Sequence, residues 1–186
     1  IAKELTILLI ASRAVLAQNK SLITDPQGAG ISADKFMELA LANFKTATGS
    51  AFAAADGDKG SAREMLLAAI KVTVSDVVSG ADIVLSEDGR FLPAIFARKA
   101  ATRFSEGSGG KMYLRLTTQD KFLINASNKA DDWERGVIEG KFATDGWAKG
   151  ETFSEMTEHD GRPAYRLMMP EYYIDGCMGC HGGAAG

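Results

Sequence analysis

Residues 151–170 read Glu151-Thr152-Phe153-Ser154-Glu155-Met156-Thr157-Glu158-His159-Asp160-Gly161-Arg162-Pro163-Ala164-Tyr165-Arg166-Leu167-Met168-Met169-Pro170. Glu151 to Thr157 has the texture of a strand. His159-Asp160-Gly161-Arg162 carries the Asp-Gly signal of a tight hairpin turn. Ala164 to Met169 is the return strand, and Pro170, which lacks an N–H, breaks it. This stretch decides the fold class, because nearly everything before it has a helical pattern. Helices followed by an antiparallel hairpin make an α+β chain.

Upstream, residues 3–23 predict a long helix. Leu5, Leu8, Leu9, Ser12, Leu16, Asn19 and Ile23 recur at helical spacing, with alanines between them. Thr24-Asp25-Pro26-Gln27-Gly28 stops it. Ser32-Ala33-Asp34 opens a second helix running to Thr48-Gly49, with Phe36, Leu39, Ala40 and Phe44 on its apolar face. Asp56 to Gly60 is expected as a solvated loop. A third helix is predicted over Ser61–Ser79, with Met65, Leu66, Ala69, Val72 and Val77 on or near one face. Its β-branched end is a weaker helix former. Beyond Gly80, Phe91-Leu92-Pro93-Ala94-Ile95-Phe96 leads a helical pattern to Phe104, and Ser105 to Gly110 is a flexible turn. Lys111 to Thr117 alternates like a half-buried strand. Asp131-Asp132-Trp133-Glu134 opens a last helix carrying Val137, Ile138 and Phe142, and Asp34, Asp131 and Asp132 read as helix-start residues. The expected organisation is one domain over 1–186, mainly helical over 1–79 and mixed over 80–186.

The composition is that of a globular protein: 46% hydrophobic and 24% charged over 186 residues. A net charge of −3 gives no nucleic-acid footprint. Leu5 to Ile10 is apolar but far too short to span a bilayer. The chain opens on Ile1, which leaves room for a leader or membrane anchor outside it.

The chemistry is concentrated near the C-terminus, in Cys177-Met178-Gly179-Cys180-His181, which holds the only 2 cysteines. C-x-x-C-H is the attachment spacing of c-type haem. Two thiols separated by two residues match the two vinyl groups of the porphyrin, and the adjacent imidazole becomes the proximal iron ligand. A structural zinc site would need four Cys or His ligands, and only His159 stands beside these three. A thioredoxin-like dithiol belongs near a βαβ pattern, whereas this motif sits in a Gly-rich tail. A simple disulfide across so short a loop gains little from closure. The expectation is one covalent haem c. Attachment of such haem takes place outside the cytoplasmic membrane, so a periplasmic or exported location is expected, with membrane anchoring outside the given chain left open.

An ordered set of segments extends the signal: Ser12-Arg13-Ala14-Val15, Phe91 to Phe96, Asn125-Ala126-Ser127-Asn128 leading to Asp132-Trp133-Glu134, Tyr165-Arg166 before Pro170, and Cys177 to Gly182. In these the chain resembles the Tll0287-like haem-c-binding sensor domains, a PAS-like group found in periplasmic parts of bacterial signalling proteins. The resemblance implies a PAS-like antiparallel sheet, long N-terminal helices and covalently bound haem c. Two departures stand out. The family's Arg-Asn-Pro run is replaced here by Leu123-Ile124-Asn125-Ala126. The family also usually continues past the haem, often to a membrane helix and an output module, so the chain is expected to be either a receptor fragment or a free-standing haem domain.

Cys177, Cys180 and His181 are therefore the cofactor-binding candidates, with His181 the proximal iron ligand. The distal position is open. Met37, Met65, Met112, Met168 and Met169 are candidates, since methionine can bind haem iron, though each equally suits core filling. His159 is a further candidate whose alternative is a solvated turn histidine. With no third cysteine, a thiolate distal ligand is excluded. Arg13 and Arg166 suit an ion pair with a haem propionate or, equally, an exposed surface position. Tyr165, Trp133, Tyr172 and Tyr173 are expected as core or haem-wall aromatics. No catalytic constellation or phosphate loop is visible, so no enzyme is expected. Sensing of redox state or of a small gaseous ligand leads. The first helix would be its output lever and a homodimer surface. Periplasmic electron transfer with a redox partner is the alternative, and a small peroxidase-like enzyme comes third.

Overall fold

A computed structural model describes residues 1–19, 30–53, 56–79 and 93–172. The chain divides into two compact units, Ile1–Arg115 and Leu116–Gly186. The helical part thus reaches well past residue 79.

The first unit is built from four helices: α1 (Ala2–Gln18), α2 (Ala33–Thr48), α3 (Gly57–Val78) and α4 (Pro93–Gly107). Helix α1 buries Leu5, Leu8, Leu9, Ser12, Val15 and Leu16, a stripe at three- and four-residue steps. It packs against the other three helices. Ser12 is fully buried, and its hydroxyl is satisfied within the helix by donating to the Leu8 carbonyl at 2.9 Å. The helix closes at Gln18, where the backbone N–H and the side-chain amide of Asn19 both donate to the Val15 carbonyl, at 3.0 and 2.8 Å. The predicted extension over residues 20–23 lies outside the described residues.

Helix α2 starts where expected. Ser32 is its N-cap and accepts a bond from Lys35 N–H. Gly49 ends it in the left-handed conformation, φ 73°, with its N–H on the Lys45 carbonyl. Phe36, Ala40 and Phe44 are buried, and Phe36 meets Phe96 of α4 with ring centroids 5.7 Å apart. Helix α3 begins four residues before the predicted Ser61. Asp56 takes the extended N-cap conformation, and Asp58 places a negative charge at the positive helix end. The loop expected over Asp56 to Gly60 is therefore helical from Gly57. Its packed face is Leu66, Ala69, Ile70, Thr73, Val74 and Val77. Val72 is half exposed rather than on that face. The β-branched end stays helical through Val78, because Thr73, Val74 and Val77 are buried there and packing outweighs propensity.

Helix α4 runs three residues past Phe104. Ser108 then ties off its end, its hydroxyl lying 2.8 Å from Ser105 O and 3.0 Å from Met112 O, either of which its one proton can reach, and accepting from Met112 N–H. The strand predicted over Lys111–Thr117 finds no partner strand among the described residues. Among the described residues this stretch takes part in no ladder, and Thr118 makes an isolated parallel bridge to Lys129. Alternation is a property of one extended segment, but a strand needs a second segment in register.

The second unit contains two 3₁₀ turns (Asp120–Phe122 and Ala126–Asn128), a short helix α5 (Asp132–Val137) continued by a π-helical turn (Ile138–Phe142), and a hairpin of β1 (Phe153–His159) and β2 (Arg162–Met168). The strands pair antiparallel, from Phe153↔Met168 to His159↔Arg162. Asp160 and Gly161 both have positive φ, 50° and 73°, which is the type I′ turn that the Asp-Gly pair signalled. The sheet thus has two strands among the described residues. Together the two units form an α+β chain.

Candidate functional site

The hairpin presents two unlike faces. Side chains alternate along a strand, so Glu155 and Arg166, paired in register, share one face, and Met156 and Tyr165 share the other.

On the first face a polar cluster joins β2 to the start of α5. Asp131 and Glu134 form a capping box: the Asp131 carboxylate accepts from Glu134 N–H at 2.8 Å, and the Glu134 carboxylate accepts from Asp131 N–H at 2.9 Å. Both carboxylates keep a second oxygen for Arg166. Its Nη2 lies 2.6 Å from Asp131 Oδ2 and 3.4 Å from Glu134 Oε1. The Arg166 side chain is 8% exposed and that of Glu134 5%, so these charges are compensated inside the protein rather than by water. The guanidinium also lies over the Trp133 ring, 4.2 Å from its centroid. Trp133 in turn donates from Nε1 to Glu155 at 2.6 Å and packs near Phe153.

Arg166 is thus neither an exposed surface arginine nor an uncommitted cation. Its guanidinium already serves two carboxylates of its own unit. His159 closes β1 half-buried, with Nδ1 3.9 Å from Asp131 Oδ2 and Nε2 3.5 Å from Asp160 Oδ2, so it is not a freely solvated turn residue. Sequence reading missed this cluster. The capping pattern was visible, but Arg166 reaches Asp131 from 35 positions away.

The second face holds Tyr165, which is 56% exposed and therefore not a core aromatic, opposite Met156, 66% exposed. Tyr172, also expected as a core or wall residue, is 42% exposed, with Lys149 above its ring.

The other candidates fall as follows. Arg13 lies half-buried on α1, in the helical unit. Met37 and Met112 are half-buried in that unit, and Met65 lines a shallow apolar groove there with Val72, Ala68 and Arg103. Met168 and Met169 are half-buried at the end of β2, in the second unit. Helix α1, the expected dimer surface, turns its leucine stripe into its own unit. Cys177, Cys180, His181 and Tyr173 lie outside the described residues. Among the described residues no group of three or more His, Cys, Asp or Glu side chains is placed to hold a metal ion. No helix among them is long and apolar enough to cross a membrane.

Among known proteins, the sequence profile of the Tll0287-like family matches residues 10–185. That span includes the Ser12-Arg13 segment, the Tyr165-Arg166 pair and the Cys177–His181 motif. No curated protein and no solved structure gives a significant match.

Proposed function

The chain belongs to the Tll0287-like family, and from that premise we propose that it is an exported, periplasmic, PAS-like monohaem c domain that senses redox state or a small ligand. The observation that carries this reading is the Cys177-x-x-Cys180-His181 motif inside a family match covering nearly the whole chain. The donor set suits a porphyrin better than a bare ion: two thiols at vinyl spacing and one imidazole beside them. Bound haem supplies an iron whose charge changes by one unit on reduction and whose axial position can be tuned or left open.

The chain's own residues do the rest. Cys177 and Cys180 anchor the ring, and His181 takes the proximal position. Met168, Met169 and His159 are the distal-donor candidates within the same unit as the motif. Arg166, held by Asp131 and Glu134, keeps β2 in place upstream of the motif instead of serving a propionate. We read the domain as a binding and signalling module rather than an enzyme.

The test is mass spectrometry of protein matured in a host that attaches haem c. The expected result is a covalent mass increase of one haem, lost in Cys177→Ala/Cys180→Ala; an unmodified chain would sink the proposal. Spectra with and without CO then divide the sensor readings. A shifted ferrous spectrum supports ligand sensing, whereas a CO-inert, reversibly reducible haem leaves redox sensing or electron transfer.

A further inference from the structure

Helices α3 and α4 leave an open groove between them on the helical unit. Met65, Ala68, Ala69 and Val72 line it from α3, and Arg103 and Gly107 from α4. Val72 is 50% exposed there. Arg103 is the one charge among the lining residues, and it is already committed. Its Nη1 donates to Thr73 Oγ1 at 2.7 Å and its Nη2 to Asp76 Oδ2 at 2.5 Å. The groove therefore offers apolar surface without a spare charge, which suits a row of apolar side chains better than a charged small molecule.

Its α3 wall is patterned like half of a helix pair. Met65, Ala68 and Val72 recur at three- and four-residue steps, the spacing of a helix–helix seam. Ser61 and Ser75 continue the row at the same steps. Their hydroxyls donate within the helix, to Gly57 O and Lys71 O, so covering them strands no donor. Charge then names the occupant. Glu64 and Lys71 are both exposed and stand seven residues apart, so they share one flank of the row. Lys71 gives one of its three ammonium protons to Asp34, at 2.8 Å, and keeps the others. A twofold axis crossing α3 between Leu67 and Ala68 lays two copies of the helix antiparallel and sets each Glu64 against Lys71 of the other copy.

We propose that the α3–α4 groove is a homodimer interface, in which the α3 helices of two copies pack antiparallel through Met65, Ala68 and Val72 and are aligned by the two Glu64–Lys71 pairs. The inference stands apart from the haem reading. The test is sedimentation of the full chain over a range of concentrations, which should show a monomer–dimer equilibrium. Val72→Glu puts a carboxylate into the seam from each copy and should raise the dimer dissociation constant at least about a hundredfold. Glu64→Lys and Lys71→Glu each set like charges together and should raise it about tenfold at low salt. The double variant Glu64→Lys/Lys71→Glu recreates both pairs with reversed sign and should restore association. Should Val72→Glu fail to fold, the charge reversals decide, with unchanged helical circular dichroism as the control for folding. A dimer that neither single reversal weakens, or that the double variant does not restore, overturns the proposal. So does a chain that stays monomeric at every concentration. Hydroxyl-radical labelling of that monomer would then assign the groove, to another part of the same chain if Met65 is protected and to no occupant if it is labelled freely.

Discussion

Arg166 shows how much one side chain holds in the second unit. It lies against Asp131, Glu134 and the Trp133 ring at once, and it is almost fully buried. Removing it would strand two carboxylates, one of them buried. Breaking a buried ion pair from one side costs about 3–5 kcal/mol, and the partial exposure of Asp131 puts Arg166→Ala toward the lower end, about 3 kcal/mol. Arg166→Lys should recover only part, because an ammonium cannot stack flat on the indole while bonding two carboxylates. Urea unfolding followed by tryptophan fluorescence checks this; a loss below about 1 kcal/mol, the range of a surface pair, would refute the bracing role. Asp34 is the opposite kind of residue. It is solvent-exposed at the start of α2, 2.8 Å from Lys71 of α3. The hydrogen bond from Lys71, then its charge, holds the carboxyl below its ordinary value of 3.8. Its contribution to stability is thus present above the unfolded value of 3.8 and disappears as pH falls through the lower folded value. Screening keeps that contribution small. A carboxyl titration by NMR should give a midpoint below 3.8 for Asp34, returning toward 3.8 in Lys71→Met and in high salt.

Among the elements, the hairpin was the most legible, because its turn has a chemical requirement. Two successive residues with positive φ call for Asp or Asn followed by Gly, and Asp160-Gly161 meets that requirement. Placing a Cβ on Gly161 at φ 73° costs about 1–2 kcal/mol. Gly161→Ala should therefore speed amide exchange along β1 and β2 several-fold, whereas Asp160→Asn, which tolerates the same backbone region, should leave it nearly unchanged. Equal rates in all three proteins would remove the turn as the register-setting device. The helices were legible for a related reason: Phe36, Ala40 and Phe44, or Leu5, Leu8, Leu9, Ser12 and Leu16, repeat at the helical period. Failures came where a local pattern needed a distant partner. Lys111 to Thr117 alternates, but no described strand pairs with it. Val72 shares the apolar character of its neighbours, but only the positions of the other helices decide that Thr73 and Val74 are packed while Val72 is exposed. Arg166 belongs to the same class, since its carboxylates come from another element. The Cys177–His181 motif could be read at all because its five residues are consecutive in the sequence, and the haem it is proposed to hold awaits the mass measurement.

At the scale of the molecule, the two units differ in what holds them together. The helical unit has a core of its own: Leu8, Leu16, Phe36, Leu66, Ile70, Val74, Phe96 and Phe104 are essentially inaccessible to water. At about 25 cal/mol per Å² of apolar surface removed from water, side chains of this size contribute about 1.5–3 kcal/mol each before entropy is charged against them. The second unit has among its described residues only Ala130 and Val137 as buried apolar side chains, and its centre is an ion cluster whose net contribution is small once desolvation is counted. If it carries the proposed haem, such a unit should depend on it, since anything that binds the folded form alone stabilises it. Amide exchange on full-length protein, haem-loaded and as Cys177→Ala/Cys180→Ala, tests the dependence. The expected pattern is unequal: helices α1 to α4 keep their protection without haem, while β1, β2 and α5 exchange at least tenfold faster. A uniform loss across both units would mean that the helical core is not self-sufficient. Unchanged protection of the hairpin would mean that the ion cluster suffices to hold it. The predicted asymmetry also gives a haem-linked signal a physical route. On the haem c reading, a change at the iron that alters how tightly the haem is held would shift the folding equilibrium of β1, β2 and α5, the least self-supporting of the described elements.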